Sequence, residues 1–179
     1  MNSLKRTALI VFSSLTLCAG LKATAEAEAD YTCRQVGSRY VVSVKNRREI
    51  VQTLTAFCKD KRITSGTIVG IGAINRLTLR FFNPATKKYD DRAFNEQMEI
   101  ANLTGNVSTK DGETYLHLHV TVGCRDYTAR AGHLLAATLN GAGEFVVEDF
   151  GVTVERTFDP GIGLNFYDFR KGCANDKMK

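Results

Sequence analysis

The stretch "YVVSVKNRREIVQTLTAFCKDKRI", residues 40–63, contains two different hydrophobic periods and therefore indicates the fold class. Its first five residues, Tyr40–Val44, are mostly β-branched, which favours a strand. Asn46 followed by Glu49 matches a capping box, so Asn46 is the predicted N-cap of a helix. Within that helix the apolar residues share one face: Ile50, Leu54, Phe57 and Cys58.

Beyond residue 63 the pattern changes to that of strands. The run "TIVGIGAI" (67–74) is apolar, and "LTLRFF" (77–82) places its leucines on one face. The "GIG" within the first run lacks the third glycine of a dinucleotide-binding loop and leads into strand-like sequence, so we expect these glycines to permit a bulge. "KDGE" (110–113) predicts a hairpin turn.

The last part of this region is less uniform. "LLAATL" (134–139) fits either a helix or a strand, and "GAGEFVVEDFGVTV" (141–154) predicts a turn followed by a final strand or strand pair. The sum is an α+β domain over residues 39–158, with one main helix and a mostly antiparallel sheet. Residues 26–38 are expected to form a lead-in, and residues 159–179 a C-terminal tail.

All three histidines of the chain lie in "YLHLHVTVGCRDYTARAGHL" (115–134). In a strand, successive side chains point to opposite faces, so Leu118 and its apolar neighbours face the core while His117 and His119 project from the other face. Their positions are about 6.6 Å apart along the strand. "GCRD" predicts a turn, after which His133 returns towards the same face.

Two interpretations of the histidines stay open. Three imidazoles suit Zn²⁺ and leave a fourth position for water or an acid, for which Glu99 is the candidate fourth ligand or base. In the other interpretation His117, His119 and His133 are separate polar side chains, on a sheet face that is buried at a subunit interface and with their rings bonded to backbone carbonyls. The chain has no GxSxG motif, so a serine hydrolase is not indicated.

The first 25 residues have the pattern of a cleaved export signal. Lys5 and Arg6 precede an apolar run of ten residues (8–17), and "ATA" (23–25) is a small-x-small cleavage pattern. Ten apolar residues are too few to span a bilayer, so no transmembrane span is expected in the mature chain. Cys18 makes a lipoprotein anchor the alternative, although Leu17 before it is not small.

Removing residues 1–25 changes both the charge and the cysteine count. The net charge falls from +5 to +2, which argues against a nucleic-acid partner. Four cysteines remain, and in an oxidising compartment three pairings are open. A disulfide between Cys33 and Cys173, which would join the two ends of the folded region, is the predicted pairing.

The order of the motifs "GIGA", "LTGNVS", "HLH" and "GHL" resembles that of the PPC domain, the plant and prokaryote conserved domain, over residues 39–156. The resemblance implies an α+β fold and a homotrimer with the histidine segment near the subunit boundaries. Plant members carry AT-hooks that bind DNA, but no Arg-Gly-Arg-Pro occurs here. In this chain Ala131 stands where the family's usual motif has a second glycine before His133.

Three functional hypotheses follow. The first is an exported homotrimeric binding module that holds a metal ion, with zinc as the candidate, or a small ligand at His117, His119 and His133. The second is a metal-dependent hydrolase or lyase that uses water at an open coordination position, with Glu99 as the base. The third, which the family label implies, is a DNA-binding protein.

Overall fold

The computed structural model describes residues 29–169, which form one helix and nine strands. The helix, α1, covers Ile50–Lys61. The strands are β1 (Tyr31–Val36), β2 (Arg39–Val44), β3 (Gly66–Asn83), β4 (Lys88–Phe94), β5 (Met98–Lys110), β6 (Glu113–Gly123), β7 (Ala129–Asp149), β8 (Arg156–Asp159) and β9 (Leu164–Tyr167). The predicted α+β class, with a mostly antiparallel sheet and one main helix, is confirmed.

Seven strands form the main sheet, in the order β1-β2-β7-β6-β5-β3-β4. β3 also pairs with β7, so β3, β5, β6 and β7 are joined in a ring of hydrogen-bonded strands. All pairings between these strands are antiparallel. The predicted hairpin turn at residues 110–113 joins β5 and β6, with Lys110 opposite Glu113.

β3 and β7 are each longer than the sequence indicated. The two predicted strand segments 67–74 and 77–82 belong to β3. Residues 134–139 belong to β7, and so does the first part of the predicted segment 141–154, since β7 ends at Asp149. The glycines of β3 permit a bulge, as expected, because its register against β5 shifts between Gly70 and Gly72. A side chain at Gly70 would meet Phe145, since its Cβ would lie 2.2 Å from a ring carbon.

The apolar face of α1 is buried as predicted, with Ile50, Leu54, Phe57 and Cys58 fully inaccessible to solvent. The prediction that Asn46 is the N-cap of α1 was wrong. Glu49 caps the helix, because its carboxylate accepts from the backbone N–H of Val51 at 3.0 Å and of Gln52 at 2.6 Å. The same carboxylate also accepts from the N–H of Ala137 in β7 at 2.9 Å, so the cap joins the helix to the sheet.

Both ends of the domain contain more structure than the sequence indicated. The expected lead-in includes β1, an edge strand that pairs only with β2 and whose residues after Tyr31 are all exposed. An exposed strand needs no apolar alternation, so its pattern gave no signal. The expected tail includes β9, which pairs with β8 in a separate two-stranded sheet.

Several predictions concern residues outside the range 29–169. These are the export signal at 1–25 with Cys18, and Cys173 of the predicted disulfide; Cys33 itself is exposed on β1. Within residues 29–169, no helix has the length and apolar character needed to cross a membrane.

Candidate metal centre

β6 presents its two histidines on one face and its apolar residues on the other. Leu118, Val120 and Val122 are buried, with 1%, 2% and 0% of their surface exposed. On the opposite face of the strand, His117 is half-buried and His119 is exposed. The predicted division of this strand into a core face and a histidine face is therefore confirmed.

His133 reaches the same face from β7. After the turn at residues 124–128, β7 runs antiparallel to β6 and places His133 directly opposite His119. On its other side His133 lies opposite Arg80 of β3. The ring centroids are 5.3 Å apart for His117 and His119, 5.0 Å for His117 and His133, and 5.3 Å for His119 and His133. We call these three residues the three-histidine cluster.

The cluster fits a divalent transition metal. Each imidazole offers one ring nitrogen, and these three nitrogens lie within 4.8 Å of one another. Two ligands of one tetrahedral zinc are about 3.4 Å apart, so small side-chain movements would complete the geometry. Imidazole nitrogen is a preferred ligand of zinc, and three histidines leave one position open.

The electrostatic surroundings of His117 and His133 lower the pKa of both imidazoles and so favour their neutral forms near pH 7. Burial lowers the pKa of His133 to about 4, with further lowering by His117, His119 and Arg80. Burial also lowers the pKa of His117, followed by the positive charge of Arg156 and by His119. A neutral imidazole has a free lone pair, which is the form that binds a metal.

Glu99 is not part of the three-histidine cluster. It lies in β5 opposite Gly123, at the far end of β6 from the histidines, whereas His119 lies opposite Thr104. Gly123 lies four positions along the strand from His119, which is about 13 Å. Glu99 lines another depression, together with Glu96 and Arg125, so the structure brings the three histidines together without the predicted acid.

Arg156 contacts the cluster from β8, and sequence reasoning missed it. Its Nη2 donates to Asn106 Oδ1 at 2.7 Å and lies 3.5 Å from His117 Nδ1. Its Nε donates to Ser108 Oγ at 2.9 Å, and its guanidinium lies over the rings of Tyr115 and Tyr167. Arg156 is 39 residues from His117 in the chain, so no local spacing could indicate the contact.

A cavity of about 580 Å³ opens beside the cluster, and we call it the side cavity. Arg80 contributes to its wall, and its Nε and Nη2 donate to the two carboxylate oxygens of Asp91 at 2.9 and 2.8 Å. The lining residues are Arg80, Phe81, Phe82, Tyr89, Tyr115, His117, His119, Ala131, Gly132, His133, Gly163, Leu164 and Asn165. The cavity is large enough for a small molecule in contact with all three imidazoles.

The family model of the Plants and Prokaryotes Conserved (PCC) domain, which is the PPC domain that the sequence resembles, matches residues 31–151. The chain belongs to this family. A search of curated proteins finds no significant match.

Solved structures agree with membership of the PPC family. A candidate DNA-binding protein from Bacteroides thetaiotaomicron is 61% identical with a TM-score of 0.77, and the alignment covers 78% of this chain and 98% of that one. A metal-containing protein from Archaeoglobus fulgidus is 30% identical with a TM-score of 0.69, covering 75% and 95%. A PPC protein from Pyrococcus horikoshii is 28% identical with a TM-score of 0.69, covering 77% and 94%.

The PPC family match contains the three histidines but ends before β8 and β9. Arg156 and the wall residues Gly163, Leu164 and Asn165 therefore come from a hairpin that follows the matched region. The site consists of a sheet face within the matched region and a hairpin that follows this region in the chain.

Proposed function

We propose that this PPC-family chain is an exported, homotrimeric binding module that holds a zinc ion at His117, His119 and His133. The observation that carries the proposal is the convergence of three imidazole nitrogens, all within 4.8 Å of one another, on one face of the sheet. The metal-containing relative from Archaeoglobus fulgidus, which is 30% identical, supports it.

The surrounding residues are suited to hold the ion and to leave one position accessible. β6 and β7 fix two of the imidazoles in direct register, and the lowered pKa values of His117 and His133 keep their lone pairs free at neutral pH. Zinc bound by three histidines polarises the oxygen ligand in its fourth position. The side cavity gives a small molecule access to that position.

Native mass spectrometry of the full-length gene product, expressed without a His tag, tests the three parts of the proposal together. We expect a mass that corresponds to cleavage after residue 25, three subunits, and one zinc per subunit. His119→Ala should lose the zinc, whereas Thr121→Ala, which replaces a non-ligating residue of β6 two positions away, should retain it. A metal-free wild-type protein, or equal zinc content in both variants, would contradict metal binding.

The surface of the sheet supports self-association. Val41 of β2 and Val69 of β3 both lie opposite Val146 of β7, and they are 51% and 47% exposed. Ile71 continues this apolar strip along β3 with 55% exposed. A contiguous exposed apolar patch on a sheet is typical of a protein–protein interface.

The side cavity also favours a second candidate function, a metal-dependent hydrolase or lyase. A p-nitrophenyl ester is a suitable first substrate, because attack by a metal-activated water releases a coloured phenolate. Turnover that a chelator abolishes, and that His117→Ala eliminates, would support catalysis. Full turnover in His117→Ala would exclude a catalytic role for the cluster. Glu99 is too distant along the sheet to serve as the base.

DNA binding is the third candidate, because the relative from Bacteroides thetaiotaomicron is named as a candidate DNA-binding protein. A DNA-binding chain would show an affinity for duplex DNA that falls steeply between 50 and 200 mM salt. Fluorescence anisotropy with a labelled duplex measures this. We expect weak binding, since the net charge without residues 1–25 is only +2.

A further inference from the structure

We propose that the side cavity binds a small carboxylate with an apolar body, drawn there by the positive charges of Arg156 and Arg80 next to the metal. The inference rests on the proposed function, because the carboxylate would occupy the position that three histidines leave open. It adds the chemical class of the ligand and assigns the C-terminal hairpin a part in selecting it.

The hairpin of β8 and β9 completes the site although it lies beyond the family match. Gly163, Leu164 and Asn165 form one wall of the side cavity. Arg156 fastens the hairpin to β5, since it donates to Ser108 Oγ at 2.9 Å and to Asn106 Oδ1 at 2.7 Å. The hairpin is therefore held against the same face that carries the histidines.

Arg156 introduces a buried positive charge at this point. Only 6% of its surface is exposed, and within residues 29–169 all its hydrogen-bond acceptors are neutral groups. No carboxylate in that range forms a salt bridge with it. The region around His117 therefore lacks a negative group to offset the charge of Arg156. A buried charge without a counter-charge is unfavourable.

Arg80 faces the side cavity directly. Its Nε and Nη2 donate to the Asp91 carboxylate, so Nη1 has no hydrogen-bond partner among the residues described. The side chain lies over the ring of Tyr89 at 4.7 Å, in the wall of the cavity. It can therefore donate to a ligand without losing its salt bridge.

The lining of the side cavity supplies no compensating acid. None of its residues is Asp or Glu, and an imidazole that binds a metal through a ring lone pair brings no negative charge. A divalent ion would add two further positive charges. Since Asp91 already pairs with Arg80, the metal and Arg156 are the positive charges that the described residues leave without an anion. A carboxylate ligand would supply that negative charge, and it matches both guanidinium and zinc.

The remaining wall residues of the side cavity favour a ligand whose uncharged part is apolar. Phe82, Tyr89, Tyr115 and Leu164 surround the charged part with aromatic and aliphatic surface. A cavity of about 580 Å³ is in the range that holds a small molecule. Benzoate combines a carboxylate with an aromatic body, and benzamide has the same shape without the charge.

The experiment uses the full chain loaded with Co²⁺, whose visible absorption reports changes among its ligands. Metal loading is measured first, and the protein is then titrated with benzoate and, separately, with benzamide. We expect benzoate to change the spectrum saturably and benzamide to leave it unchanged. Arg156→Gln and Arg80→Gln should each weaken benzoate binding about tenfold, the effect of losing a charge-assisted interaction.

The controls separate this inference from the proposed function. Arg39→Gln removes an exposed arginine that pairs with Glu148 away from the site, and it should bind benzoate like the wild type. If Co²⁺ does not load, both proposals fail. If Co²⁺ loads but benzoate has no effect, or benzamide acts equally, only the carboxylate inference fails. Should Arg156→Gln not fold, unchanged benzoate binding in Arg80→Gln overturns the inference.

Discussion

His133 shows how position in the sheet changes the chemistry of one side chain. It lies between His119 and Arg80 in neighbouring strands, and its half-buried ring has a pKa lowered to about 4. An unfolded chain would bind a proton at His133 near its ordinary pKa of about 6.5. The folded protein therefore favours the neutral imidazole over the range between those two values.

This shift predicts a pH dependence of stability for the metal-free chain. As the pH falls from about 6.5 to about 4, the unfolded state takes up a proton that the folded state refuses, so the free energy of unfolding decreases. We expect a lower melting temperature at pH 5 than at pH 7 in the presence of a chelator. The difference should be smaller in His133→Gln than in the wild type.

Thr121→Ala is the matched control for this measurement, because it changes β6 without removing a titrating group. Its pH dependence should equal that of the wild type. An identical loss of stability in His133→Gln and the wild type would show that His133 does not contribute. The carboxylates of the wild type and of His133→Gln respond to pH in the same way. The difference between the pH dependences of their stability therefore comes from the His133 imidazole.

For individual residues, the sequence correctly predicted that His117 and His119 lie on the face of β6 opposite its apolar residues. It did not predict which residue caps α1. Alternation within one strand is a local property, and Leu118 and Val120 are buried as it requires. The choice between Asn46 and Glu49 depended on β7, whose Ala137 N–H bonds to the Glu49 carboxylate. That partner is 88 residues away, so the capping-box pattern could not reveal it.

The strands β5 and β6 approach each other closely at Gly105, next to the strand segment that carries His117 and His119. Gly105 of β5 lies opposite Leu118 of β6. A Cβ at Gly105 would be 2.0 Å from the carbonyl oxygen of His117 and 2.8 Å from the Cα of Leu118. Because both contacts are with backbone, rotating a side chain cannot relieve them.

Gly105→Ala should therefore displace β6 at His117. We expect a loss of about 2 kcal/mol in the free energy of unfolding, the usual effect of overpacking, and weaker zinc binding. Urea denaturation and a competition assay with a chromogenic chelator measure the two effects. Gly123→Ala, where a Cβ would meet nothing within 4 Å, should change stability by no more than about 0.5 kcal/mol.

Equal stability of Gly105→Ala and Gly123→Ala would mean that the two strands can separate locally without affecting the fold. The comparison is well matched, because both glycines lie in the same pair of strands and neither has a positive φ. The strands β3 and β7 illustrate the same dependence on glycine. Glycines there permit a bulge at Gly70–Gly72 and close approach between the strands. The predicted break in β7 falls next to Gly141, whereas the predicted break in β3 falls at Asn75 and Arg76, where the register against β7 shifts.

For the whole molecule, the apolar strip of Val41, Val69 and Ile71 is the feature that a single chain leaves unexplained. Burying it between subunits would remove apolar surface from water, the main favourable contribution to association. We expect Val69→Glu to shift the protein from trimer to monomer in sedimentation velocity at micromolar concentration. A charged carboxylate in an apolar interface is strongly unfavourable.

Val36→Glu provides the comparison, since Val36 is 60% exposed but lies on β1 at the edge of the sheet, outside the strip. We expect that variant to retain the wild-type assembly. A trimer that persists in Val69→Glu would place the subunit interface elsewhere. A monomeric wild-type protein would contradict the proposed homotrimer itself.

The sequence by itself determined the fold class, the buried face of α1 and the faces of β6, because each depends on periods of about two or 3.6 residues within one element. It also indicated that His133 would return to the face of the other two histidines. Only the tertiary structure decided that the three rings converge and that Glu99 is excluded from them. It likewise placed Arg156 beside His117 and walled the cavity with the hairpin. These outcomes depend on register and packing between segments far apart in the chain, and no local pattern encodes that pairing.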